Sequence, residues 1–188
     1  MSGDERGLLA DLDAWFERGR ERAGPGVIPC QLSCSACCHG VFDISPRDAQ
    51  RLAEGLASLP ADVAATVRDR ARAQLDEIEQ RLPEWGAPHD VDALAEDVFD
   101  ALCDALARSP CPALNPDGGC ALYEHRPITC RMTGLGMDTG DDEGLPNECP
   151  IQAEHPVYAA LAPVPFDLTR LEDDLARFDA LAARAGYV

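Results

Sequence analysis

Apolar and charged positions alternate along the first residues in the rhythm of a helix. Leu8, Leu12, Trp15 and Phe16 recur at i, i+4, i+7 and i+8 with charges opposite, which predicts a helix from about Asp4 to Ala23. Gly24-Pro25-Gly26 stops it. The segment 30–38 that follows is too short and too rich in Ser and Cys for a regular element. Ser45-Pro46-Arg47-Asp48 reads as the next helix start: Ser45 suits the N-cap, Pro46 the first helical position, and Asp48 reaches back as in a capping box. Leu52, Leu56 and Leu59 give this helix one apolar face. Pro60 opens or divides a longer helix that carries Val63, Val67, Leu75, Ile78 and Leu82 at helical spacings. After a break from Pro83 to Pro88, a helix is expected from about Asp92 to Ala107, with Leu94, Val98, Leu102 and Leu106 inward.

Residues 109–150 change character. Ser109-Pro110, Asn115-Pro116-Asp117-Gly118-Gly119, Gly134, Gly136, Gly140 and Pro146 forbid long helices there. A loop of this length inside a compact domain needs something to organise it. The chain finishes on Leu168, Leu171, Leu175, Phe178 and Ala182, an amphipathic helix suited to closing the core or meeting a partner. No internal repeat and no period-two strand stands out. The expected fold is mainly α: one domain over residues 1–188, with a motif region at 30–149 and helical flanks at both ends. In it, two cysteine-rich irregular loops converge on a metal site.

Charge narrows the partners. The 188 residues hold 34 acidic and 16 basic residues, every basic one arginine, for a net charge of −18. Such a surface repels phosphate, so nucleic acid and anionic membranes are not expected partners, and any protein partner is undefined. Met1 to Leu12 carries Asp4, Glu5 and Asp11, without the basic start and apolar run of ~7–15 residues of a signal peptide. No stretch approaches the roughly 18 apolar residues of a membrane span. A cytoplasmic setting is therefore expected, in which thiols stay reduced and clustered cysteines serve metal or redox chemistry rather than disulfides.

The cysteines carry the chemistry. Four of the nine fall at Cys30, Cys34, Cys37 and Cys38, and Cys111, Cys120, Cys130 and Cys149 fall in the second irregular stretch. Thiolates bind zinc or iron because they are soft, anionic and able to converge tetrahedrally. Neighbouring side chains diverge, so Cys37-Cys38 divides more naturally between two ions, or bridges them, than it serves one. Two ions or a sulfur-bridged cluster fit eight thiols better than a single site does. Spacing does not separate zinc from iron. Cys30-x3-Cys34-x2-Cys37 also has the spacing of the radical-SAM motif. Against that reading, Ala36 stands where an aromatic residue is usual, no βα units follow, and Cys38 and the second group go unexplained.

Other residues are weighed around the thiols. Gly118-Gly119 offers backbone amides, and Arg126 and Arg131, flanking Cys130, are candidate counter-charges, Arg131 above all. His39, His125 and His155 are expected as hydrogen-bonding neighbours rather than ligands, and His89 as exposed. Cys103, four residues after Phe99 and three before Leu106, is expected to pack against the core. No Ser/His/Asp arrangement, phosphate loop or paired-carboxylate site is evident, so no catalytic residue is assigned.

The order of blocks is specific. Cys30-Gln-Leu-Ser-Cys34-Ser-Ala-Cys37-Cys38 is followed by Cys111-Pro, Cys120-Ala-Leu-Tyr123, Arg126-Pro127-Ile-Thr-Cys130-Arg131 and Cys149. This resembles the YkgJ-type cysteine-cluster family, a zinc- or iron-chelating domain with the pattern C-x2-C-x2-C-C, "CP", "C-x-x-Y", "RP-x-x-C-R" and a last cysteine. The chain departs from it in the first gap, three residues instead of two, and in Ser35 where Gly is common. The resemblance implies metal binding by these eight cysteines; of the metals, zinc is expected in preference to iron or an iron–sulfur cluster. It leaves activity open. The alternative is an iron–sulfur protein acting in electron transfer or as an enzyme; a related cysteine-rich region in flagellin lysine N-methylases makes methyl transfer or other SAM-dependent chemistry the enzymatic form of it, although no SAM-binding glycine loop is present.

Overall fold

The computed structural model of the chain describes residues 3–31, 33–140 and 144–167. Helix α1 (Gly3–Ala23) takes the span its periodicity predicts. Leu8, Leu12 and Trp15 are fully buried, and they meet irregular chain rather than another long helix: Ile128, Leu135, Met137, Cys149, Tyr158 and Val164 complete the main core. Each large side chain so covered contributes roughly 1.5–3 kcal/mol. The Trp15 indole N–H donates to the Val164 carbonyl at 2.9 Å, and its ring meets Phe16 and Phe166 edge-on. The core therefore lies directly beneath the second cysteine-bearing stretch.

Helix α2 (Pro46–Ser58) has the expected N-cap and first residue, with the Ser45 hydroxyl accepting from the Asp48 amide at 3.1 Å and Pro46 at its first position, but the Asp48 carboxylate turns to the Ile128 amide and Arg51 instead of completing a capping box. Its orientation is not the expected one. The buried residues are Arg47, Asp48, Arg51 and Gly55, while Leu52, Leu56 and Leu59 are only half-buried. Pro60 opens rather than divides helix α3 (Ala61–Arg81), where burial is confined to Ala64 and Val67. Helix α4 (Glu96–Leu106) begins later than expected, because Val91–Ala93 forms a separate 3-10 turn; Leu102 and Leu106 are buried, Leu94 and Val98 half-buried. His89 is not exposed. Its ring lies edge-on to Trp85 at 5.3 Å and beside the Glu79 carboxylate.

Among the described residues, 109 to 167 hold only short elements: helix α5 (Ile128–Met132), helix α6 (Pro156–Ala159), the 3-10 turns Tyr123–His125 and Gln152–Glu154, and the strands β1 (Met137–Asp138) and β2 (Val164–Pro165). The strands pair in parallel, Met137 with Val164 and Asp138 with Pro165. Two residues cannot display a period-two pattern, which is why no strand was evident. The helix expected at Leu168–Ala182 lies outside the described residues. Among those described, no helix is long and apolar enough to cross a membrane.

Candidate metal centre

Backbone hydrogen bonds join the two cysteine-bearing segments. The Cys111 amide donates to the Cys38 carbonyl at 2.9 Å, the Gly40 amide donates to the Ser109 carbonyl at 2.8 Å, and His39 and Pro110 form an antiparallel bridge. Asn115 to Gly119 then turns the chain back, so that Leu114 bridges to Cys120. Gly118 sits at φ +84° with the Ser33 carbonyl oxygen 2.7 Å from where a Cβ would stand, and only glycine fits both conditions. The convergence of the two loops is thus written in main-chain contacts.

Cys130 is positioned from the other side by buried charge. Asp48 and Arg51, 3 % and 2 % exposed, pair at 3.1 Å on α2. Both carboxylate oxygens of Asp48 accept from the Ile128 amide at 3.3 Å, capping α5 from outside because Pro127 provides no side-chain cap. Arg51 donates to the Arg126 carbonyl at 2.6 Å. Arg131, 5 % exposed, grips Asp13 of α1 with bonds of 2.6 and 2.7 Å and donates to the Glu124 carbonyl at 3.0 Å. Burial pushes the Asp48 carboxyl above the usual range, against the pull of Arg51, the Ile128 amide, Ser45 and Arg131. The segment Arg126–Arg131, and with it Cys130, is clamped between α1 and α2.

The eight expected ligands influence one another in two sets that meet at Cys37. Burial raises the Cys30 thiol to about 11, reinforced by Cys149, Cys34 and Cys37. Burial raises Cys130 to about 12, reinforced by Cys111, Cys37 and Cys120, while Arg126 opposes. Cys111 and Cys120 are also raised by burial, but backbone amides favour their thiolates: Ala113 and Leu114 at Cys111, Leu122 at Cys120. Cys37 is lowered to about 6, chiefly because the Cys38 thiol donates to its sulfur. Cys38 is correspondingly raised by that bond, then by burial, Cys37, Cys111 and Cys120. Two neighbourhoods result, one around Cys30, Cys34 and Cys149, the other around Cys38, Cys111, Cys120 and Cys130. Cys37 belongs to both.

These sulfurs share a neighbourhood without yet forming a coordination sphere: among the described residues, no three His, Cys, Asp or Glu side chains converge on one point able to hold an ion. The donor chemistry nonetheless suits a thiophilic metal. All nine cysteines are free, amides favour the thiolate at Cys37, Cys111 and Cys120, and a guanidinium acts on two of the thiols.

Several neighbours differ from expectation. The Gly118 and Gly119 amides are engaged within their own turn, by Asn115 and Asp117. Arg126 is the cation that favours thiolate at Cys120 and Cys130, whereas Arg131 faces Asp13. Arg126 itself lies 4.0 Å over the Tyr123 ring. His39 bonds the Ser35 carbonyl at 3.1 Å, as a hydrogen-bonding neighbour does. Cys103 is half-buried on α4 with its sulfur toward the Val41 carbonyl, and its electrostatic neighbours are Asp100, Asp43 and Asp104 rather than other thiols. Asp13 and Arg51, which hold Arg131 and the Arg126 carbonyl, carry no local sequence signal, since charged residues on a helix read as solvent-facing; the contact of Tyr158 with Gly134 has none either.

A family model, CxxCxxCC, described as a "putative zinc- or iron-chelating domain", matches residues 29–150, more than half of the chain. Neither a curated protein nor a solved structure matches.

Proposed function

Because the chain belongs to the CxxCxxCC zinc- or iron-chelating family, we propose that it is a zinc-binding protein that takes up two ions through Cys30, Cys34, Cys37, Cys38, Cys111, Cys120, Cys130 and Cys149. The observation that carries this reading is the main-chain pairing of two cysteine-bearing segments far apart in sequence, the Cys111 amide on the Cys38 carbonyl at 2.9 Å, with all of their cysteines free. One ion is assigned to the Cys30, Cys34 and Cys149 side and the other to the Cys38, Cys111, Cys120 and Cys130 side, with Cys37 between them. Bound zinc would supply cross-linking of the two segments. Binding asks the sulfurs to draw in from their present spacing to about 2.3 Å from the metal.

A filled, all-thiolate site is structural, whereas catalytic zinc keeps an open position, so the proposed role is metal holding within one domain over 1–188 rather than catalysis. The proposed setting is the cytoplasm, where thiols stay reduced. The net charge of −18 speaks against nucleic-acid or anionic-membrane partners. Limited proteolysis before and after chelator treatment tests the structural role. Metal removal should speed cleavage within 30–40 and 109–150; unchanged cleavage in both segments after complete removal would contradict it.

A further inference from the structure

Tyr158 lies on α6, beyond the segment 29–150 that the family model covers, yet it is 1 % exposed and joins two of the cysteines. Its hydroxyl donates to the Gly134 carbonyl at 2.5 Å and lies 3.4 Å from Asn147 Oδ1. Both neighbours lead to thiols. A Cβ on Gly134 would stand 3.0 Å from the Cys30 sulfur, so that sulfur lies directly against the Gly134 backbone. Asn147 Oδ1 accepts from the Cys149 amide at 3.0 Å, and Gln152 holds the Asn147 carbonyl at 2.6 Å.

We propose that Tyr158 is a positioning residue for the Cys30, Cys34 and Cys149 half of the metal site, fixing the backbone against which two of its sulfurs are set. The hydroxyl holds the Gly134 carbonyl, and Gly134 is the residue the Cys30 sulfur lies against. It also sits beside Asn147 Oδ1, which turns the Cys149 amide. The ring is buried in the main core, so a single hydroxyl ties both cysteine neighbours to α6.

The inference rests on the metal-binding reading, and the test separates the two. Zinc is titrated into anaerobically reduced wild-type and Tyr158→Phe proteins, with stoichiometry and affinity read for each equivalent and the fold checked by circular dichroism. Tyr158→Phe should weaken one equivalent about 10–100-fold and leave the other unchanged. Equal affinities in both proteins would overturn the inference, while wild-type protein that binds no zinc would overturn the reading beneath it. Since loss of a buried hydroxyl can unfold a core, 3-fluorotyrosine placed at position 158 provides a second readout that keeps the hydroxyl. Its 19F signal should shift when a chelator strips the zinc, and an unmoved signal would also overturn the inference.

Discussion

Adjacent thiols hold their protons unequally. Cys38 keeps its proton and offers it to Cys37, which falls to about 6, whereas burial lifts Cys30 to about 11 and Cys130 to about 12. In metal-free protein at neutral pH, Cys37 is therefore the thiolate and the nucleophile. Iodoacetamide labelling followed by peptide mass spectrometry should find Cys37 modified first at pH 7, with the rate dropping about tenfold per pH unit below about pH 6. Even labelling of all nine cysteines would contradict it. For stability the signs oppose. Cys37, held below its ordinary 9.0, stabilises the metal-free fold fully above about pH 9, and that contribution is lost as pH falls through about 6. Cys30 and Cys130 contribute below about pH 9, and lose their contribution as pH rises through about 11 and 12. Metal must displace those tightly held protons, so zinc affinity should climb steeply from pH 6 to 9.

Helix α2 shows what an element does when its buried face is charged. The Asp48–Arg51 pair is not argued as a large net stabiliser, because desolvation offsets its attraction. Its worth is position: it fixes the Ile128 amide and the Arg126 carbonyl that flank the approach to Cys130. Arg51→Ala, which leaves the Asp48 carboxylate buried and unpaired, should cost about 3–5 kcal/mol by chemical denaturation and weaken metal retention. Gly55→Ala is a sharper case. Helix propensity alone favours alanine by about 1 kcal/mol, but the new Cβ would stand 2.6–2.9 Å from the His125 ring and Cβ. Those atoms are close to the His125 backbone, so overpacking wins and the variant should lose about 1–3 kcal/mol; a gain in denaturation midpoint would show that the 123–125 turn is free to move.

The same helix marks where sequence reading stops. Its start was legible, because Ser45 and Pro46 act on their own neighbours. Its orientation was not, because Asp48 and Arg51 are buried by partners that lie far along the chain, while periodicity assigns charge to solvent. Helix α1 was legible in full for the opposite reason: one apolar stripe, and a core that covers it. The roles of Asp13 and Tyr158 depend on contacts 118 and 24 residues away, to Arg131 and Gly134, for which no local pattern exists.

At the scale of the whole molecule, the long irregular stretch from 109 to 150 is held by α1 beneath it, by α2 beside it and by main-chain bonds to the first cysteine loop. The cysteine blocks announced that convergence through their order and spacing. The net charge of −18 adds self-repulsion, so the thermal midpoint should rise between low salt and about 0.5 M sodium chloride, and a fall would contradict that view. The central claim is that a thiolate-bound metal completes this architecture. Elemental analysis of anaerobically purified protein, with the visible spectrum recorded on the same sample, tests it most directly. The account predicts two equivalents of zinc per chain in a colourless protein. A brown protein with iron and acid-labile sulfide would replace zinc with an iron–sulfur cluster, and less than about half an equivalent of either metal would contradict a thiolate metal site altogether.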